Sequence, residues 1–309
     1  MRTDNGRGGN HGRYCWRWRH CMNPLLQDLL EHLELEPLEV NLFRGTSKDI
    51  GSPQVFGGQV LGQALRAASL TVDDRIVHSL HAYFLRAGDF NAPIVYQVDR
   101  SRDGRSFSSR RVVAIQHGRQ IFTLAASFQL PEEGIDHQAT MPEVPAPDTL
   151  PDATSYSEPL LDKFPEKLRR FYQLKRAFDF RPVQAPEFFT ASKRPARKQV
   201  WFRALDRLPD ADICHRCLLA YVSDYDLLAT ATLPHGIAFG SGNVQMASLD
   251  HAMWFHRPFR VDEWLLYDCD SPSAAGARGL ARGTIYDQNG RLVASTAQEG
   301  LIRLWPVKD

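Results

Sequence analysis

Three polar residues in the second half of the 309-residue chain have side chains suited to chemistry. They are Asp224 in Tyr221-Val222-Ser223-Asp224-Tyr225, Ser248 in Ala247-Ser248-Leu249-Asp250-His251, and Gln298 in Ser295-Thr296-Ala297-Gln298-Glu299-Gly300. A carboxylate accepts a proton, while a hydroxyl and a carboxamide grip a small polar molecule by hydrogen bonds. Together they form a set that can hold and deprotonate a water. Taken singly, each has a plain alternative. Asp224 can cap a helix, Ser248 can be an incidental strand serine, and Gln298 can be an exposed strand residue. Their weight comes from the elements that carry them.

Those elements occur twice. An amphipathic helix is expected over 23–34, with Leu25, Leu26, Leu29, Leu30 and Leu33 on one face. A strand around 40–44 follows, then a helix opened by Gly57-Gly58 with apolar residues at 60, 61, 64, 65 and 68. Glycine at a helix entry permits close approach, either of a ligand or of packed backbone. Four strand-like segments come next: 76–85, 94–98, 107–116 and 120–130, the last two joined at His117-Gly118. Phe122, Leu124, Ala126 and Phe128 alternate onto one face.

Residues 131–195 hold ten of the nineteen prolines and read as an extended linker with one helix near 166–176. Beyond it the order returns: a strand at 200–204, a helix at 218–231, and strands at 245–256, 264–269, 277–286 and 291–304, with a turn at Asp287-Gln288-Asn289-Gly290. At a shift of 171, Phe84, Arg86, Tyr96 and Asp99 meet Phe255, Arg257, Tyr267 and Asp270. At a shift of 172, Arg110, Gln116, Gly118, Arg119 and Ala125 meet Arg282, Gln288, Gly290, Arg291 and Ala297. The chain is therefore expected to duplicate one α+β unit. A long apolar helix followed by an antiparallel sheet is stable when the sheet curls around the helix. Joining two such sheets edge to edge removes an exposed edge. This is a double hotdog, with a leader at 1–21, an N-terminal hotdog at 22–130, the linker at 131–195 and a C-terminal hotdog at 196–309.

The superposition gives the polar trio its meaning. Ser248 stands where the first half has Val77, Gln298 where it has Ala126, and Asp224 approximately where it has Gln59. The second half thus carries a polar cluster that the first lacks.

Composition narrows the class. The chain is 43% hydrophobic and 24% charged with net charge +1, which excludes global disorder and gives no basis for a nucleic-acid partner. No segment approaches the roughly 18 apolar residues of a membrane span. The leader carries five arginines and one acid and is expected to be disordered, leaving a net charge of −3 on the rest. The odd set of Cys15, Cys21, Cys214, Cys217 and Cys269 argues against a disulfide framework and for a reducing cytoplasm. Cys214-His215-Arg216-Cys217 lacks a second ligand pair for zinc and reads as ordinary helix, so neither metal nor cofactor is expected.

Longer motifs add a resemblance. From Met22 to Arg303 the sequence resembles the acyl-CoA thioesterase II family. The stretches that carry it are Leu42-Phe43-Arg44-Gly45, Gln54-Val55-Phe56-Gly57-Gly58-Gln59, Tyr83-Phe84-Leu85-Arg86, Pro234-His235-Gly236, Asp250-His251-Ala252-Met253-Trp254-Phe255-His256-Arg257-Pro258 and Glu263-Trp264-Leu265-Leu266-Tyr267. The resemblance implies a double hotdog that hydrolyses acyl-CoA thioesters of medium to long chain and assembles as a homodimer or homotetramer. It implies catalytic roles for Asp224, Ser248 and Gln298, carried in the Ser-Asp-Tyr, Ser-Leu-Asp-His and Gln-Glu-Gly contexts. The expected mechanism has Asp224 as base for a water that Ser248 and Gln298 orient, with amides at the N-terminus of the second-half helix receiving the oxyanion. Competing readings are a hotdog enoyl-CoA hydratase or dehydratase, which commonly needs a histidine, and a non-catalytic acyl-CoA-binding module. Arg86 and Arg257 occupy equivalent places, so a structural role stands for both beside binding of the CoA phosphates.

Overall fold

The computed structural model describes residues 22–305 apart from 53, 190 and 239–242; the expected leader and two of the five cysteines lie outside them. The first half runs α1 (Pro24–Leu33), β1 (Glu36–Glu39), β2 (Leu42–Gly45), α2 (Gly57–Ser69), β3 (Ile76–Phe84), β4 (Ile94–Asp103), β5 (Phe107–Gln116) and β6 (Arg119–Gln129). After α3 (Ala153–Ser157) and α4 (Glu166–Gln173) come β7 (Phe178–Pro182), β8 (Arg197–Ala204), α5 (Asp212–Ser223), β9 (Val244–Ser248), β10 (Asp250–Phe255), β11 (Leu265–Ala275), β12 (Arg278–Asp287) and β13 (Leu292–Leu304).

All thirteen strands form one antiparallel sheet, ordered β1-β2-β4-β5-β6-β3-β10-β13-β12-β11-β8-β7, with β9 also on β13. The halves meet where β3 pairs β10, Ala252 opposite His81. Each half therefore gives up an edge strand to the other, as the duplication reading requires. His117 and Gly118 both take positive φ, the conformation that a two-residue hairpin turn demands between β5 and β6. Phe122, Leu124, Ala126 and Phe128 are all buried, and one apolar cluster runs through both halves from Leu26 to Ala294. Arg86 Nη1 donates to Gln120 O at 2.6 Å and Arg257 Nη1 to Leu292 O at 2.8 Å, equivalent bonds that tie a loop to its neighbouring strand in each copy.

The inner layer is α2 against α5, running in opposite directions. A Cβ on Gly58 would collide with the Tyr221 carbonyl, and one on Gly62 would meet Leu33 and the Cys217 carbonyl. Two glycines four residues apart thus let the helix backbones close on each other. Close packing accounts for Gly58.

Three expectations need correction. The second-half helix spans 212–223 rather than 218–231. Ser223 donates its hydroxyl to Ala220 O, Asp224 caps the helix, and Asp226 takes φ 63°, which stops it; residues 228–235 form a separate 3-10 helix. The segment 245–256 is two strands broken at Leu249. The proline-rich region is more than a connector. Residues 178–182 add an edge strand to the second half, and Met141, Val144 and Leu150 cover Trp201, Trp264, Leu266 and Tyr286 on the sheet's outer face. Trp201 Nε1 donates to Pro145 O at 3.0 Å there.

Candidate active site

Ser248 ends β9, and a bulge follows it. Four residue steps from Ser248 to Ala252 oppose only three from Gly300 to Ala297 on β13. The Asp250 carboxylate fills the irregularity, accepting the Glu299 amide at 2.7 Å. The bulge lets Ser248 and His251, three apart in sequence, reach the same side chain on β13; in a regular strand they would face opposite ways. The first half has its bulge at the equivalent place, between Val77 and Ser79.

That shared side chain is Gln298. Its Nε2 lies 2.6 Å from Asp224 Oδ1, 3.1 Å from Ser248 Oγ and 3.2 Å from His251 Nδ1. Ser248 Oγ donates to Asp224 Oδ1 at 3.4 Å. The structure therefore brings all three sequence-selected residues together, from the end of α5, the end of β9 and the middle of β13. Gln298 is buried, whereas Asp224 and Ser248 are half-buried and keep access to solvent.

The position of Asp224 differs from the sequence reading. It follows the last turn of α5, so no N-terminus of its own helix faces the site. The helix that points its N-terminus there is α2 of the first half: the Gly58 amide donates to the Asp224 carboxylate. A Cβ on Gly57 would strike Asp224 Oδ2 and the Phe84 ring. Gly57 is thus required for the carboxylate to approach. The correspondence of Asp224 with Gln59 also fails. Gln59 lies in the first turn of α2 and donates to Thr46 O, while Leu70 caps α2 as Asp224 caps α5. Val77 and Ala126 do stand at the equivalent places of Ser248 and Gln298, both buried and apolar.

Burial pushes the Asp224 carboxyl up to about 6, against the hydrogen bonds from Gln298, Ser248 and Gly58 that favour its charged form. Such a carboxylate is ionised at neutral pH yet more basic than an exposed one, which suits proton abstraction. Aromatic rings wall the site: Phe56 packs against Tyr221 and Tyr225 with centroids 5.2 and 4.5 Å away. The thiols of Cys214, Cys217 and Cys269 are buried and desolvation pushes each up, Cys214 to about 12, so none is a ready nucleophile. Among the described residues, no group of three His, Cys, Asp or Glu is gathered as for a metal.

Known proteins are similar to this chain along most of its length. A family model described as acyl-CoA thioesterase matches residues 169–301, and one for the acyl-CoA thioesterase N-terminal domain matches residues 44–129. The chain is 44% identical to acyl-CoA thioesterase 2 of Haemophilus influenzae over 283 residues, 91% of this chain and 99% of that protein. The chain belongs to the acyl-CoA thioesterase family. Human acyl-coenzyme A thioesterase 8 is 43% identical over 287 residues, 89% of this chain and 88% of that one. The crystal structure of an acyl-CoA thioesterase II from Mycobacterium marinum superposes with a TM-score of 0.73 at 44% identity, covering 91% of this chain and 99% of that chain. As a member of the family the chain has the hotdog fold, in keeping with the wrapped sheet described above.

Proposed function

We propose that Asp224, Ser248 and Gln298 perform the acyl-CoA thioester hydrolysis characteristic of this family, using a water held between them. The observation that carries the proposal is the convergence of Asp224 Oδ1, Ser248 Oγ and Gln298 Nε2 within 2.6–3.4 Å of one another. Asp224 takes the proton of the water as its oxygen attacks the thioester carbonyl. Ser248 and Gln298 fix the direction of attack. The N-terminal turn of α2 supplies the positive pole for the developing oxyanion, a role the sequence had assigned to the other helix. Collapse of the tetrahedral intermediate breaks the C–S bond and releases CoA thiolate and the fatty acid. No covalent acyl-enzyme is needed. The nearest imidazole, His251, meets Gln298 through Nδ1 and Ser223 through Nε2, and makes no recorded bond to Ser248.

Medium to long acyl chains against the Phe56–Tyr221–Tyr225 wall, a homodimer or homotetramer, and a reducing cytoplasmic setting complete the proposal. The test is thiol release from saturated acyl-CoAs by Gln298→Ala, with circular dichroism to establish folding. Loss of Gln298 is expected to lower turnover by roughly 10²–10³-fold, the range for removing one hydrogen-bond donor that holds the reacting atoms in place. Near-normal turnover in a folded variant would sink the trio. Hydration of crotonyl-CoA without thiol release would favour the hydratase reading.

A further inference from the structure

His251 takes no part in the mechanism above, yet it is 1% exposed and bonded at both ring nitrogens. Its Nδ1 is 3.2 Å from Gln298 Nε2, and its Nε2 is 3.0 Å from Ser223 Oγ. Ser223 Oγ gives its proton to Ala220 O at 2.9 Å, so it can only accept from the ring. The ring proton is therefore on Nε2, and Nδ1 carries a lone pair. That lone pair can receive a hydrogen only from the Nε2 end of Gln298. Reversing the amide would set Gln298 Oε1 against both the Nδ1 lone pair and the Asp224 carboxylate.

The ladder adds a second observation. One step along the register from the Ala252–Ala297 pair, His251 lies opposite Gln298. At the same step in the first half stand Leu80 and Ala126, both buried. The scaffold thus needs only apolar packing at this pair. The second half pays desolvation for two polar side chains there. Burial also pushes the imidazole down to about 4, which keeps it neutral and its lone pair available.

We propose that His251 is a positioning residue for hydrolysis: through a fixed Ala220–Ser223–His251 relay it sets the orientation of the Gln298 amide, so that an N–H faces Asp224 and Ser248. The proposal rests on the assignment of Gln298 to the reaction. One Gln298 hydrogen goes to Asp224, and the other is divided between Ser248 Oγ and His251 Nδ1. His251 is closed off from solvent and acts through Gln298.

Asn and Leu are nearly isosteric, but only Asn offers an acceptor at the place of Nδ1. His251→Leu is expected to lower kcat by roughly 10- to 100-fold, the usual worth of an outer hydrogen-bond partner, with KM changed less than about twofold. His251→Asn is expected to recover most of that loss. On a Gln298→Ala background, His251→Leu is expected to cost less than about twofold more, because there is no amide left to orient. A packing role predicts the reverse order, Leu at or above Asn, and an equal loss on both backgrounds; either result overturns the proposal. Should His251→Leu fail to fold, Ser223→Ala decides. It removes the acceptor that selects the tautomer, so a lowered kcat at constant KM supports the relay and an unchanged kcat overturns it. Full turnover in Gln298→Ala alone would overturn the trio, and the relay with it, which separates the two failures.

Discussion

Replacing Asp224 with Asn separates what the half-buried carboxylate costs the fold from the role proposed for it in the reaction. The Asp224 carboxyl ionises near 3.8 when the chain is unfolded and at about 6 when folded, because burial opposes its charge. The folded chain then binds more protons between pH 4 and pH 6, so stability falls as pH rises through that window. The ionisation penalty follows from the two values: about 3 kcal/mol at pH 7, about 2 kcal/mol at pH 5 and less than about 1 kcal/mol at pH 4. Asparagine carries none of it. Any fixed difference between Asn and a protonated Asp, such as altered contact with the Gly58 amide, is the same at every pH and cancels. The stability of Asp224→Asn relative to wild type should therefore climb by about 2 kcal/mol from pH 4 to pH 7. Urea unfolding of both proteins across that range, followed by tryptophan fluorescence, measures the difference directly. Thiol release at pH 7 should meanwhile drop by roughly 10²–10⁴-fold. A flat difference, or one that shrinks toward neutral pH, would refute the claim that burial controls this carboxyl.

On the proposed mechanism the same group should set the acid limb of activity. In wild type, kcat/KM should fall as pH drops through about 6; in Gln298→Ala the residual limb should move to higher pH, because a hydrogen bond to the charged carboxylate is gone. Loss of thioester absorbance reads both. Ser248→Thr keeps the hydroxyl and should hold turnover within about tenfold, while Ser248→Ala should fall well below it, since only the alanine variant lacks a hydrogen-bond partner for the water. Gly58→Ala drives a methyl into the Tyr221 carbonyl; it should destabilise the chain by about 1–3 kcal/mol, seen as a lowered thermal midpoint with both helices retained.

Strand alternation and the repeated element order made the sheet legible, because a half-buried antiparallel strand writes its inner face at every second residue. Phe122 to Phe128 and the His117-Gly118 turn are such cases. Ser248 and Gln298 were legible for a related reason: at a fixed register their counterparts are Val77 and Ala126, and a polar residue against an apolar one stands out. The helix carrying Asp224 was misplaced because the apolar run continues past its end. What stops it is a serine bonding back to Ala220 and a left-handed Asp226, neither of which disturbs hydropathy. His251 was visible as a residue but not as a partner. Its orientation depends on the bulge at Leu249, and one extra residue in one strand leaves no mark on composition. The contribution of α2 was hidden for a different reason. That the positive end of a first-half helix meets a second-half carboxylate is a property of how the two units pack.

The recurring bulge has a consequence for how such a molecule can change over generations. Two separate identical chains meeting in this way would carry the same residues at both poles, and every substitution would appear twice. Within one polypeptide the poles mutate independently. Leu80 and Ala126 answer to packing, while His251 and Gln298 are the pair for which a part in the reaction is proposed. With the proposed trio in one half only among the described residues, a tight inhibitor of hydrolysis should bind with a stoichiometry of one per polypeptide, not one per repeat. The first half serves as a foundation, its helix α2 opening toward the proposed centre.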